Sequence, residues 1–242
     1  MLFILLYLWA SLSCRVWPRR WLECYAGVEV PGKNIIKIYD ENGYYHIYNR
    51  GVEKRNIFLD QQDHSVFLSY LMIYLSPVDQ NQKISPSKRL KNYFGIVDLL
   101  CYCLMPNHFH LLIKQHVSTG IADFVQSVST KYAMYFNKKY QRSGHLFQGA
   151  YRAVTIDSEA QLLQLSRYIH RNPDPARSDP AGLLEYRYSS LPIYLGKFNQ
   201  SWVRSQEISC LFSKSDVLNS YKSFVLESVD LSDMSSLLID YD

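Results

Sequence analysis

The segment Asn107-His-Phe-His-Leu-Leu112 constrains this chain more than any other. Imidazoles alternate with large apolar side chains, and the alternation runs on into Ile113. That is a strand pattern, with His108 and His110 on one face and Phe109, Leu111 and Ile113 on the other. The apolar face demands a core. The imidazole face allows two readings, because residues two apart lie about 7 Å from each other along a strand. Either the rings are satisfied by hydrogen bonds, or their neutral nitrogens converge on one cation. The segment alone leaves both open.

The rest of the chain gives that strand its neighbours. Gly43 introduces a strand at about 44–50. Asp60 can cap a helix at 61–75 whose apolar face is Val66, Phe67, Tyr70, Leu71 and Tyr74. Residues 76–91 are polar and contain Pro77 and Pro86, which reads as a loop. A long apolar strand at about 94–103 then turns through Leu104-Met-Pro-Asn107 into the histidine strand, as a hairpin. Ser118 or Thr119 starts a helix ending near Tyr140, with Phe124, Val128, Tyr132 and Tyr135 inward. A fourth strand is expected within 149–156. The order βαββαβ predicts an α+β fold, a ferredoxin-like antiparallel sheet with an additional C-terminal helix.

That last helix carries a second chemical signal. Ser158 or Asp157 is a good N-cap, and Gln161 stands three residues after Ser158, as in a capping box. Leu162, Leu165 and Ile169 give an apolar face, and Pro173 disfavours helical geometry at Asn172, so the helix is expected to end there. Tyr168 and Asn172 are four apart and share one face. A helical tyrosine is ordinarily a core aromatic. Beside a metal site it becomes a candidate nucleophile.

Taken together, the motifs resemble a known family. They are Tyr45-His-Ile-Tyr-Asn-Arg-Gly51, Ile57-Phe-Leu-Asp60, Leu104-Met-Pro-Asn-His-Phe-His110, the stretch from Tyr135 to Gln148, and Tyr168-Ile-His-Arg-Asn-Pro173. In this order, over roughly residues 44 to 196, the chain resembles the single-tyrosine HUH transposases, and within them the REP-associated tyrosine transposase branch. The resemblance implies that Tyr168 attacks structured single-stranded DNA, forming a 5′-phosphotyrosine and releasing a 3′-hydroxyl. It also implies Mg²⁺ or Mn²⁺ as cofactor. His108, His110 and Asn172 are the expected ligands, although two imidazoles suit Mn²⁺ or Zn²⁺ at least as well as Mg²⁺. Single-stranded or hairpin DNA is the expected partner, in a cytoplasmic, nucleoid-associated protein without a membrane partner. Monomer and homodimer both stay open.

Charge and composition bear on partners and boundaries. A 48% hydrophobic fraction with 20 tyrosines argues for a packed domain rather than disorder. The net charge is only +4, but beyond Ser205 Lys214 and Lys222 stand against seven acidic residues, so the body is basic and the tail acidic. Arg50, Lys138, Lys139, Arg142 and Arg152 are the candidate phosphate contacts, interleaved after 131 with aromatics that could stack on bases. The alternative for that stretch is core tyrosines and lysines that cap a helix. Five scattered cysteines argue against a secreted disulfide scaffold. Residues 1–40 read as an appendage outside the fold, 41–196 as the HUH domain, and 197–242 as a partly helical acidic extension. Leu2 to Leu12 is apolar but short and lacks a preceding basic region, so a membrane anchor is the lesser alternative.

Two rival functions remain. Cys101 and Cys103 could face His110 and His108 across the hairpin and hold a structural zinc in a nucleic-acid-binding module. A domesticated DNA-binding protein could also keep the fold without cutting.

Overall fold

The computed structural model describes residues 39–78, 90–174, 179–213 and 215–227. The appendage expected at 1–40 lies outside these except for Tyr39 and Asp40, as do most of the loop between the first helix and the second strand and the last fifteen residues. Among the described residues, β1 (Tyr44–Arg50), β2 (Val97–Met105), β3 (His108–Gln115) and β4 (Arg152–Ile156) form one antiparallel sheet in the order β2-β3-β1-β4. With α1 (Gln61–Leu75) between β1 and β2, and α2 (Gly120–Lys139) between β3 and β4, this is the ferredoxin-like βαββαβ topology. α3 (Glu159–Arg171) follows. Short helices α4 (Pro180–Glu185), α5 (Leu191–Tyr194), α6 (Gln206–Ser209) and α7 (Tyr221–Leu226) complete the described chain.

Local chemistry accounts for the boundaries. Asp60 accepts a hydrogen bond from the Asp63 N–H at 2.9 Å, and Asp63 reaches back to the Asp60 N–H, a reciprocal cap that starts α1. At α3 the Ser158 hydroxyl caps the Gln161 N–H, but the Gln161 side chain bonds the Asp157 N–H rather than that of Ser158. β2 runs on to Met105, leaving Pro106 and Asn107 as a two-residue hairpin turn. Gly51 ends β1 where a side-chain carbon would collide with the Arg55 carbonyl, so this glycine of the Asn49-Arg50-Gly51 motif serves a close backbone approach.

Helices cover both faces of the sheet. α1 and α2 pack on the side of Tyr45, Ile47, Phe109, Leu111 and Ile113, where Phe67, Phe124, Tyr132 and Phe136 are buried. On α2 the inward position falls to Phe136. Tyr135 is only half-buried and instead donates its hydroxyl to Asp63. α3 packs on the other face with Leu112, Leu162, Leu165 and Ile169. The extension expected at 197–242 contributes to both faces over its described residues, with Trp202 and Val203 in the core under α1 and α2 and Tyr221 in that under α3. Trp202 stacks on Tyr102, Val203 bridges Leu99 beside the β2 edge, and Tyr221 lies against α3. No helix of the described residues is long and apolar enough to cross a membrane.

Candidate active site

The β1–β3 register places Arg50 opposite His108 and Tyr48 opposite His110, so all four side chains lie on the face that α3 covers. His108 is half-buried and His110 fully buried, which makes the site open at the Arg50 end and closed further in. α3 brings Tyr168 over the inner part. Its ring lies edge-on to His110 at 5.5 Å between centroids and to His46 at 6.2 Å. Asn172 caps the same helix with helical angles (φ −49°, ψ −37°), so Pro173 ends α3 without pushing its neighbour into extended geometry. The Asn172 amide nitrogen donates to the Tyr168 carbonyl at 3.4 Å, and its Oδ1 lies 3.3 Å from His108 Nε2. His108, His110, Tyr168 and Asn172 therefore come together within one chain.

Hydrogen bonding fixes which ring nitrogens face the centre. The Asn107 amide nitrogen donates to the Lys54 carbonyl, so its oxygen is the atom 2.6 Å from His108 Nδ1. That oxygen only accepts, and His108 Nδ1 must carry the proton. In the neutral ring, the Nε2 lone pair then faces the Asn172 oxygen. Two acceptors at 3.3 Å do not bond each other, but two ligands of an octahedral Mg²⁺ or Mn²⁺ with bonds of about 2.1 Å stand about 3 Å apart. His110 Nε2 is buried and has no hydrogen-bond partner among the described residues. Burial holds the His110 ring well below the ordinary histidine range, the neighbouring His108 and His46 rings push the same way, and the nearby Asn172 side chain opposes them. A neutral ring with an uncommitted nitrogen is what a cation requires. The donors present thus fit a small divalent cation.

The zinc alternative fails on register. Cys103 does oppose His110, but the two-residue turn at Pro106 and Asn107 sets Met105 opposite His108 and Cys101 opposite Leu112. The Cys103 thiol donates to the Met105 sulfur, and burial pushes both cysteine thiols up, against the thiolate form zinc needs. Among the described residues, no group of three or more His, Cys, Asp or Glu side chains is placed to hold a metal. The fitting set here has two imidazoles and an amide oxygen.

The basic residues separate into two groups. Arg50 sits at the open end of the site, its Nε donating to Gln148 Oε1 at 2.6 Å, and Arg152 lies opposite Tyr48 on β4. Lys138, Lys139 and Arg142 lie at the end of α2, on the other side of the sheet. Lys139 is taken up by Asp60 and Asp63 at 2.7 and 2.8 Å, and Arg142 by Asn137. The Lys139 charge therefore ties α2 to the start of α1.

Two histidines with no role assigned from the sequence also find their places. His170 is buried between Tyr221 and Ser190, an arrangement that anchors α3, and burial pushes it down to about 3. His46 contacts His110 directly, with Nε2 2.8 Å from His110 Nδ1. Nothing within its own strand signals this, because the contact depends on β1 pairing with β3.

Fold and site together define a ferredoxin-like α+β domain with a histidine pair and a tyrosine on one sheet face. The profile of the family described as "Transposase IS200 like" matches residues 83–172, the stretch that carries both histidines, Tyr168 and Asn172, so this part of the chain is similar to that family. Among solved structures, a REP-associated tyrosine transposase bound to a REP hairpin is 11% identical, covering 70% of this chain and 95% of its own, with a TM-score of 0.47. A presumed transposase from Deinococcus radiodurans R1 is 20% identical, covering 59% of this chain and 97% of its own, with a TM-score of 0.33. No curated protein matches the chain.

Proposed function

We propose that the chain is a divalent-metal-dependent DNA strand transferase that cleaves and rejoins structured single-stranded DNA. What supports this reading is that His108 Nε2 lies 3.3 Å from Asn172 Oδ1, while the His110 ring, with its buried Nε2 unbonded, stands 4.9 Å from the His108 ring and 5.5 Å from that of Tyr168. His108, His110 and Asn172 would hold Mg²⁺ or Mn²⁺, and when bound that ion supplies positive charge against the charge developing on the scissile phosphate.

The remaining steps belong to the protein's own groups. The Tyr168 oxygen attacks phosphorus and forms the P–O(Tyr) bond, while the P–O3′ bond breaks and the 3′-oxygen leaves as a hydroxyl. The 5′ side stays on the enzyme as a phosphotyrosine. A free tyrosine has a pKa near 10, so at neutral pH only about one in a thousand is ionised and proton loss must accompany attack. The phosphotyrosine keeps the energy of the broken bond, and a 3′-hydroxyl reverses the step without ATP. Arg50 and Arg152 share this face and are the proposed backbone contacts. One chain supplies every group named, so a monomer suffices for the chemistry.

The test is Tyr168→Phe on labelled hairpin DNA taken from the flanks of its own gene. Cleavage should disappear while hairpin affinity stays within about threefold, because only a hydroxyl is lost. Undiminished cleavage by the variant overturns the reading. If wild-type protein binds the hairpin tightly and never cuts, the non-cleaving DNA-binding alternative replaces it.

A further inference from the structure

His46 is fully buried on β1, on the same sheet face as Tyr48 and Arg50. Leu112 lies opposite it on β3 and Val154 on β4, and the rings of Tyr48 and Tyr168 lie against it. Its Nε2 meets His110 Nδ1 at 2.8 Å, with the two rings stacked at 16°. One proton lies between these nitrogens, and its position decides what His110 offers on its other side. A proton on His46 Nε2 would leave neutral His110 protonated at Nε2, a buried N–H with no acceptor in hydrogen-bonding geometry among the described residues. Such orphan donors are rare. A proton on His110 Nδ1, accepted by His46, instead leaves the His110 Nε2 lone pair facing the site.

We infer that His46 is a positioning residue: it accepts the Nδ1 proton of His110 and so holds that ring in the tautomer and orientation that present Nε2 to a divalent cation. Asn107 does the same for His108 through its side-chain oxygen. The two candidate ligands are thus oriented by different partners, one an amide from the hairpin turn and one an imidazole from the neighbouring strand. Outer partners of this kind fix ligand geometry, and their loss weakens metal binding without removing a ligand. The inference rests on the metal-site reading above.

The test uses full-length protein and Mn²⁺ alone, with free ion followed by electron paramagnetic resonance and folding by thermal unfolding in EDTA. His46→Leu fills the space without an acceptor and should weaken Mn²⁺ binding by about 10- to 100-fold. His46→Gln offers a carboxamide oxygen and should recover most of it. A packing role alone would leave Mn²⁺ affinity unchanged in a folded Leu variant, and that result overturns the inference. If His46→Leu does not fold, ¹⁵N spectroscopy of the imidazoles in the metal-free wild type decides. His110 protonated at Nδ1 supports the inference, and His110 protonated at Nε2 overturns it. Loss of Mn²⁺ binding in His108→Ala with full retention in His46→Leu would leave the metal site standing and remove only the role of His46. A wild type that takes up no Mn²⁺ would bring down both.

Discussion

On one face of the sheet Phe109, Leu111 and Ile113 meet an aromatic core under α1 and α2. One residue along the same strand, His108 and His110 turn to the other face and meet Tyr168 and Asn172 of α3. A one-residue slip in strand pairing would exchange the two faces, so the register that buries the core also delivers the imidazoles. Both faces carry buried polar atoms without a hydrogen-bond partner among the described residues, His64 Nε2 on α1 and Ser129 Oγ on α2 included, so the difference lies in what stands beside them. Under α1 and α2, the Asp63 carboxylate is saturated by Lys139, the hydroxyls of Tyr135 and Tyr140, and the N–H groups of Leu59 and Asp60. On the α3 face, His110 keeps a buried nitrogen uncommitted. Saturated polar groups hold a fold together, and an uncommitted one beside a candidate nucleophile is the mark of a site.

The sharpest way to break this contrast is to truncate one residue on each face. Phe109→Ala opens a cavity against Phe67 and Phe147 and should cost about 3–5 kcal/mol in urea unfolding. A cost near zero would mean that the apolar face does not carry the fold.

The saturated carboxylate gives a pH signature. Burial alone would raise the Asp63 pKa, but the Lys139 ion pair, the Leu59 N–H and the two tyrosine hydroxyls outweigh it and hold the carboxyl below its ordinary value. A depressed folded pKa contributes stability that is present above the unfolded value and lost as pH falls through the folded one. The melting temperature should therefore fall as pH drops below about 4. Asp63→Asn should cost about 3 kcal/mol at pH 7 and flatten that acid limb. An unchanged acid limb would show that Asp63 is not the group responsible.

Smaller effects are expected where the C-terminal segment grips α3. The Tyr221 hydroxyl bonds both His170 Nδ1 at 2.7 Å and Ser166 Oγ at 3.0 Å. Tyr221→Phe should lower stability by about 1–2 kcal/mol and leave cleavage largely intact. Abolished cleavage at unchanged stability would instead place Tyr221 in the chemistry. The smallest effect on stability belongs to the imidazole face. His108→Ala, at a half-buried position, should change stability by less than about 1 kcal/mol yet abolish DNA cleavage. A large loss of stability would make His108 a structural residue and erase the contrast.

Periodicity explains what was legible in the sequence. β1, α1, α2 and α3 are long and patterned, and each lies within two or three residues of where spacing and caps put it. The histidine pair was legible because a strand separates its faces without help from tertiary structure. The hairpin partners of Cys101 and Cys103 were not, because the strand runs on through Leu104 and Met105 and the turn shrinks from the four residues expected to two, which moves every partner by two positions. Nor was the role of His46, since only the β1–β3 pairing brings its ring to His110. Helices of four to six residues, such as α5, α6 and α7, are too short to show a period, so the contacts of Trp202 and Tyr221 emerge only from packing.

The central claim is that Tyr168 acts with a cation held by the imidazole face, and mass spectrometry of the protein–DNA adduct tests it most directly. Wild-type protein is incubated with a single-stranded hairpin in Mn²⁺, in EDTA, and in EDTA followed by excess Mn²⁺, then digested and mapped. The account predicts a 5′-phosphotyrosine on the peptide containing Tyr168 in Mn²⁺, none in EDTA, and recovery when Mn²⁺ is restored. An adduct on another tyrosine, such as Tyr140 or Tyr151, or an adduct of equal yield in EDTA, would contradict it.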